Sequence, residues 1–386
     1  MIINNQNLKL FKSDIYTLSV VFSFSLYFFS NDTTLGLGKL FFIPTALSLV
    51  FNFFVLKTIG RLEFLLFLFI FMGALPYTAY GTVDSQFLEL PLTRLVLGIL
   101  SFIGLKEIGL KKLIKWLTLI TPMILFIHYF YSDLSEYRYG GFYGDPNYLA
   151  ISFQFLIVIN LLALNIFHNK FLKILTIVNI FAIFPLILFG LSRAGMATTV
   201  LVLLFYWFYL LKVGNKKSYI YLGILLLILI GFSGYIQVMF EERIDSLIGR
   251  LDELQSDVRN EINRIALEAF FSHDYNFFLG FGYGNTETDK FLEITGIDNH
   301  RVHNSYICTL VEQGIIGLGI LMSMILLLAK KILFNRSKFK VIKIGLFFAM
   351  LINLYSVFCF SFLSFWVTFF FLFNDWSDLE DTEINI

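Results

Sequence analysis

The sequence predicts an all-α protein that crosses a membrane many times. Of its 386 residues 58% are hydrophobic and only 15% charged, mean hydropathy is +0.77, and the apolar residues fall into long runs. Soluble domains carry about a quarter charged residues. The 29 basic and 28 acidic residues nearly cancel, so composition gives no polybasic signal and no reason to expect nucleic acid as a partner. Cys308 and Cys359 both lie in apolar runs. They are expected to pack as small hydrophobes, not to form a disulfide or hold zinc.

A helical crossing needs ~20 apolar residues, because the hydrocarbon core is ~30 Å thick and a helix rises ~1.5 Å per residue. About 12 transmembrane helices are expected, near 14–30, 40–56, 62–80, 86–105, 113–132, 147–167, 171–191, 194–212, 219–237, 305–329, 342–359 and 361–374. The last two divide one apolar run near Ser361. A short polar leader and the lack of a small-x-small cleavage site after the first span identify it as a retained helix. Most Lys and Arg residues fall in the leader and in every second connection, which predicts cytoplasmic N- and C-termini. The chain then divides into nine spans over 1–237, a large external loop over 238–304, three spans over 305–374 and an acidic tail over 375–386.

The loop is far longer than a typical connection, and its first half repeats apolar residues from Ile244 to Ala269 at helical spacing. Such a helix lies on the membrane surface or caps the bundle. Arg243, Arg250 and Arg264 flank one edge of the stripe and Arg259 the other. Interfacial snorkelling explains such arginines as well as ligand binding does.

Three short segments carry chemistry. His303-Asn304-Ser305-Tyr306 stands where the loop re-enters the membrane, a place where an imidazole can act as a general base. Gly314 and Gly317 follow on one face of the tenth span and are expected to admit a neighbouring helix. Glu312 and Gln313, polar within that span, should face protein or a cavity. Ahead of the sixth span, Arg138 to Tyr148 contains Asp145, suited to cap the helix, and Pro146, suited to its first turn. Arg138, Tyr143 and Asn147 also offer charge, stacking and hydrogen bonding to a sugar. The tight turn Leu191-Ser192-Arg193-Ala194-Gly195-Met196 places an arginine on the external side, where a guanidinium calls for an anion such as phosphate. Glu89 and Arg94 either pair with each other or extend that site.

Arg94, Arg138, Arg193, Arg264 and His303 thus come from five parts of the chain and map to the external half of the bundle. Several guanidiniums with one base suit a diphosphate leaving group and a hydroxyl nucleophile, without a metal. The external loops contain no Asp-x-Asp, and Glu287-Thr288-Asp289 lies in a Gly/Thr-rich stretch poorly suited to hold one.

These residues resemble the O-antigen polymerase and ligase superfamily of bacterial inner-membrane glycosyltransferases. The family's His-Asn, nine residues, Gly-x-x-Gly pattern matches His303-Asn304 and Gly314/Gly317. Its Pro-Asn-x-x-Ala matches Pro146-Asn147-Tyr148-Leu149-Ala150, its Ser-Arg-x-Gly matches Ser192 to Gly195, and its loop arginine with Gly-x-Gly-x-Gly matches Arg264 and Gly280 to Gly284. The resemblance covers roughly residues 138–320. It implies a fold like that of the O-antigen ligase, with a periplasmic loop over the site, a donor glycan on undecaprenyl diphosphate, no cofactor, and transfer at the periplasmic face. It also implies His303 as base and Arg193 and Arg264 on the diphosphate, and only these three residues take their roles from it; from their own places in the chain, Arg138, Tyr143, Asn147, Arg259, Asn304 and Arg94 are expected to contact substrate. The usual Trp soon after the loop arginine is absent, with Glu268 near its place, so Arg259 competes with Arg264 for that role. Polymerase and ligase share this scaffold; the Phe-rich bundle (48 Phe) and loosely kept motifs favour the polymerase, with a chain-length regulator as a possible partner. A flippase is the reading from another class, but no internal repeat supports it.

Overall fold

The computed structural model describes residues 60–80, 109–131, 139–141, 145–214, 258–272, 277–282, 302–360 and 363–379. The spans expected at 14–30, 40–56, 86–105 and 219–237 lie outside these residues, as do Arg94, Arg138, Tyr143, residues 287–289 and the loop stretch 238–257. The eight other expected spans are all helical. They form α1 (Arg61–Tyr80), α2 (Leu110–Tyr131), α3 (Pro146–Ile166), α4 (Lys170–Phe189), α5 (Arg193–Lys212), α7 (Ser305–Leu333), α8 (Lys340–Ser356) and α9 (Leu363–Phe373), with the loop helix α6 (Val258–Phe271) between α5 and α7. Helices α2 to α5 and α7 are long and apolar enough to cross a membrane. Among the described residues the protein is a polytopic helical membrane protein.

Side-chain caps begin four of these helices by satisfying N–H groups that have no partner one turn back. Asp145 caps α3 with Pro146 in its first turn, Asn169 caps α4, Ser192 caps α5 and Asn304 caps α7. Helix α3 is the axis of the bundle, with 89% of its apolar window buried against α2, α4, α5 and α9. Lipid removes the hydrophobic drive between helices, so close packing and polar contacts must hold them. Asn179 Nδ2 donates to Asn160 Oδ1 and to the Thr118 carbonyl, both at 2.9 Å, knitting α4 to α3 and α2. Asn353 Nδ2 donates to Gln154 Oε1 at 2.9 Å and ties α8 to α3. Outward-facing Phe64, Phe67, Phe71, Phe171 and Phe181 give an apolar surface that suits lipid chains.

Helices α5 and α8 run antiparallel. Tyr209 meets Phe339, and Phe205 meets Phe348 and the bare backbone of Gly345. Helix α7 packs on α1, α8 and α9. Beyond α9, the segment through Trp376 folds back beneath the bundle, where the Lys343 ammonium donates to the Asn374 carbonyl at 2.6 Å.

The last apolar run, expected to divide near Ser361, is interrupted by residues 357–360, which leave the helix after α8 ends at Ser356, and α9 begins at Leu363. The Ser305 hydroxyl explains this, donating to the Val357 carbonyl (2.6 Å) and accepting from the Cys359 N–H (3.0 Å). One expectation needs correction: among the described residues, loop backbone and not a helix approaches Gly314. Gly314, at φ 67° and ψ −170°, breaks α7, and a Cβ on Gly317 would meet the Gln313 side chain of the same helix. Glu312 and Gln313 are buried as expected, and so are both cysteines.

A methyl group at Gly345 would fall 2.5 Å from Phe205 Cβ, whereas one at Gly319 would meet nothing within 4 Å. Gly345→Ala should therefore destabilise the detergent-solubilised protein by ~1–3 kcal/mol, read as a lower Tm. Gly319→Ala should leave Tm unchanged or raised.

Candidate active site

Two motifs that stand far apart in sequence are joined by one asparagine. The Asp145 carboxylate accepts from the Asn147 backbone N–H (2.7 Å) and from its Nδ2 (2.9 Å). Asn147 Oδ1 accepts from the Ser192 hydroxyl (2.7 Å), and Ser192 Oγ accepts from the Gly195 N–H (3.0 Å). The starts of α3 and α5 are thereby locked together. Next to this relay a Cβ on Gly195 would lie 2.2 Å from the Ala150 Cβ, so glycine there allows α5 to touch α3. The relay explains the spacing of both motifs, and it uses the amide of Asn147, which is only 5% exposed.

Arg193 is the first residue of α5, directly after the Ser192 cap, and is half-buried. It is presented by the turn Gly190–Ser192, in which Leu191 adopts φ 48°, a left-handed conformation that costs a branched residue free energy. The segment before Asp145 is strapped down as well. The Tyr139 N–H donates to the Phe189 carbonyl (3.1 Å), and its phenol hydrogen-bonds His128 Nδ1 at 2.7 Å. Gly141 lies against the His128 ring, where a Cβ would come within 2.8 Å.

His303 directly precedes the cap of α7. Asn304 Oδ1 accepts from the N–H groups of Tyr306 (2.9 Å) and Ile307 (3.2 Å), while Ser305 ties the same point to residues 357–359. His303 is half-buried, with Nδ1 enclosed. Continuing the antiparallel register of α5 on α8 from Tyr209 and Phe205 brings Arg193 level with Val357, whose carbonyl is held by Ser305. Arg193 and His303 therefore occupy the same end of the bundle.

Helix α6 packs on α7 through the side that carries Ala266, Ala269 and Phe270. Arg264, about 200° around the helix from Ala266, is exposed. Its guanidinium donates to both Glu261 oxygens (3.1 and 2.5 Å) and to Glu268, and it holds the Glu261 carboxyl below the usual range. An anionic ligand at Arg264 has to displace these carboxylates. Arg259 belongs to the same helix, seven residues ahead of Ala266.

Sequence reasoning placed Asp145 as a cap correctly. It missed Ser192 as the partner of Asn147, Ser305 as the clamp on residues 357–359, and the His128–Tyr139 strap; Ser192, Ser305 and Tyr139 lie in the segments singled out above, whereas His128 carried no sequence signal. Among the described residues no three His, Cys, Asp or Glu side chains converge as metal ligands would. The groups gathered at this end are guanidinium, imidazole and amide, a set that suits an anionic, hydroxyl-rich ligand.

No curated protein matches the chain. The family model described as O-Antigen ligase matches residues 177–322, a stretch that takes in Arg193, Arg264, His303 and the Gly314 break, so this part of the chain is similar to that family, in line with the resemblance to the O-antigen polymerase and ligase superfamily.

Proposed function

We propose that the protein is a glycosyltransferase of the bacterial inner membrane that polymerises O-antigen or capsular repeat units. It would move a glycan from undecaprenyl diphosphate to a hydroxyl of a second lipid-linked glycan at the periplasmic face, with both termini in the cytoplasm. The observation that carries this reading is the placement of Arg193 and His303 at one end of the bundle, each adjoining a capped helix start. Caps and interhelical contacts hold their backbones still, which suits groups that must meet a reacting centre.

In this mechanism the acceptor oxygen attacks the anomeric carbon of the donor sugar, and His303 takes the acceptor proton. The bond from that carbon to the diphosphate oxygen breaks, and the leaving group departs with the electron pair. Arg193 and an arginine of α6 neutralise the growing charge. Arg264 can fill the second place by exchanging Glu261 and Glu268 for the diphosphate; Arg259 is the other occupant of that role. Asn147 acts on Arg193 through Ser192, and Asn304 acts on His303 through the α7 cap. Arg94, Arg138 and Tyr143 are assigned to the glycan. A chain-length regulator as partner belongs to the same polymerase reading.

The ligase is the second reading, favoured by the match of residues 177–322 to the O-Antigen ligase family model. It uses the same donor and the same residues but passes the glycan to the lipid A core. The glycan ladder of a deletion strain separates the two: core plus one repeat marks a lost polymerase, and core without repeats a lost ligase. A lost flippase would strand lipid-linked repeat on the cytoplasmic side.

In that strain His303→Ala should insert and fold normally yet reduce polymer formation by ~100-fold or more; a wild-type ladder from this variant would remove the general-base role. Arg193→Lys should be nearly as damaging as Arg193→Ala, because lysine keeps the charge without the bidentate fork. Wild-type activity in the lysine form would reduce the requirement to charge alone. Ser192→Ala should lower stability by ~1 kcal/mol through the lost cap and also slow transfer, with Ser192→Thr restoring both; thermal unfolding and ladder intensity at matched protein level check the pair.

A further inference from the structure

The break in α7 is answered by a backbone exchange with the loop. In an unbroken helix the N–H groups of Ile315 and Ile316 would donate to the carbonyls of Val311 and Glu312. Gly314 prevents this. Instead, Ile315 N–H donates to the Phe277 carbonyl (2.9 Å) and Ile316 N–H to the Phe278 carbonyl (3.5 Å). The abandoned Val311 and Glu312 carbonyls accept from Phe281 N–H (2.9 Å) and Gly282 N–H (2.7 Å). The loop residues are spaced 277 to 281 and 278 to 282, the same interval of four, so two turns of chain trade partners.

Only glycine permits so close an approach. A Cβ on Gly280 would lie 2.4–2.5 Å from backbone atoms of Glu312, Gln313 and Gly314, and one on Gly314 would lie 2.2–2.6 Å from backbone atoms of Phe278 and Leu279. Both residues also have φ near +70°. Backbone offers no flexible side chain to move aside. Undocking would strand four backbone groups beside buried residues, and each unpaired group there is costly.

The exchange also reaches the arginines. Phe277, at its edge, stacks against Phe270 with ring centroids 5.9 Å apart, and Phe270 is buried at the end of α6. Helix α6 packs on α7, and its C-terminal end is joined through Phe270 and Phe277 to the backbone exchange at the break. We propose that this latch is a positioning device, in which Gly280, Gly314 and the Ile315 N–H hold the arginine-bearing helix α6 over the His303 end of α7. The inference rests on the proposed transferase reading and adds residues that act only through α6.

The test uses the full chain in its native strain and, purified, in lipid nanodiscs. Gly280→Ala prevents docking by a clash. Ile315→Pro removes one N–H at the first position after the break, where proline is compatible with a helix start. Hydrogen exchange at residues 277–282 should rise by about tenfold or more in both variants, and polymer formation should fall by about tenfold or more. In an Arg259→Ala/Arg264→Ala background the same substitutions should cost little further activity, because the latch works through those arginines. A merely structural latch would cost the same factor with or without the arginines, and that additivity would overturn the proposal. So would full polymer formation despite raised exchange, or exchange unchanged in both variants. A wild-type ladder from His303→Ala would instead sink the catalytic reading, while the exchange measurement and the arginine cycle still decide the latch.

Discussion

A backbone N–H or C=O inside a membrane protein has no water to fall back on, so any departure from helix must bring its own partners. Three departures among the described residues lie toward the end that carries Arg193 and His303, and hydrogen bonds support each. Residues 357–360, between α8 and α9, take the Ser305 hydroxyl as both donor and acceptor. The turn between α4 and α5 gives the Phe189 carbonyl to Tyr139. The break at Gly314 takes four hydrogen bonds from the loop.

The same economy governs the side chains. Asp145, Ser192 and Asn304 satisfy helix starts, and Arg193 and His303 stand immediately beside two of these caps. Asn147 and Asn304 resemble ligand-contacting residues when read as motif letters. In the structure both spend polar atoms on scaffold: one on the link between α3 and α5, the other on the first turn of α7. A motif residue here can therefore serve the scaffold that holds its neighbour in place.

Charge is distributed to match. Arg264 is balanced by Glu261 and Glu268 on its own helix, an exposed cluster that water and salt can compete with. At the far end of the bundle Lys343 is buried and meets the Asn374 carbonyl at the end of α9, over the Trp376 ring. Asp375 beside it is held below the usual carboxylate range, chiefly by the Ser377 backbone N–H. The first cluster can exchange its partners for a ligand, and the second is built to stay closed.

Hydropathy alone determined the class of protein, because ~20-residue apolar runs have no other comfortable place than a bilayer. It placed the eight helices described at expected spans to within three residues at almost every end. Local chemistry determined the Asp145 cap, since a carboxylate before Pro-Asn meets the N–H groups of its own next residues. The role of Asn147 was not legible, because its partner Ser192 lies 45 residues away. Nor was the break in α7: Gly-x-x-Gly within an apolar run reads as a helix-packing notch unless a second stretch of backbone arrives to take the freed hydrogen bonds. That stretch is 277–282, and only the tertiary structure brings it there, since the exchange joins groups separated by 30 or 38 residues and no local pattern records which turn will trade with which.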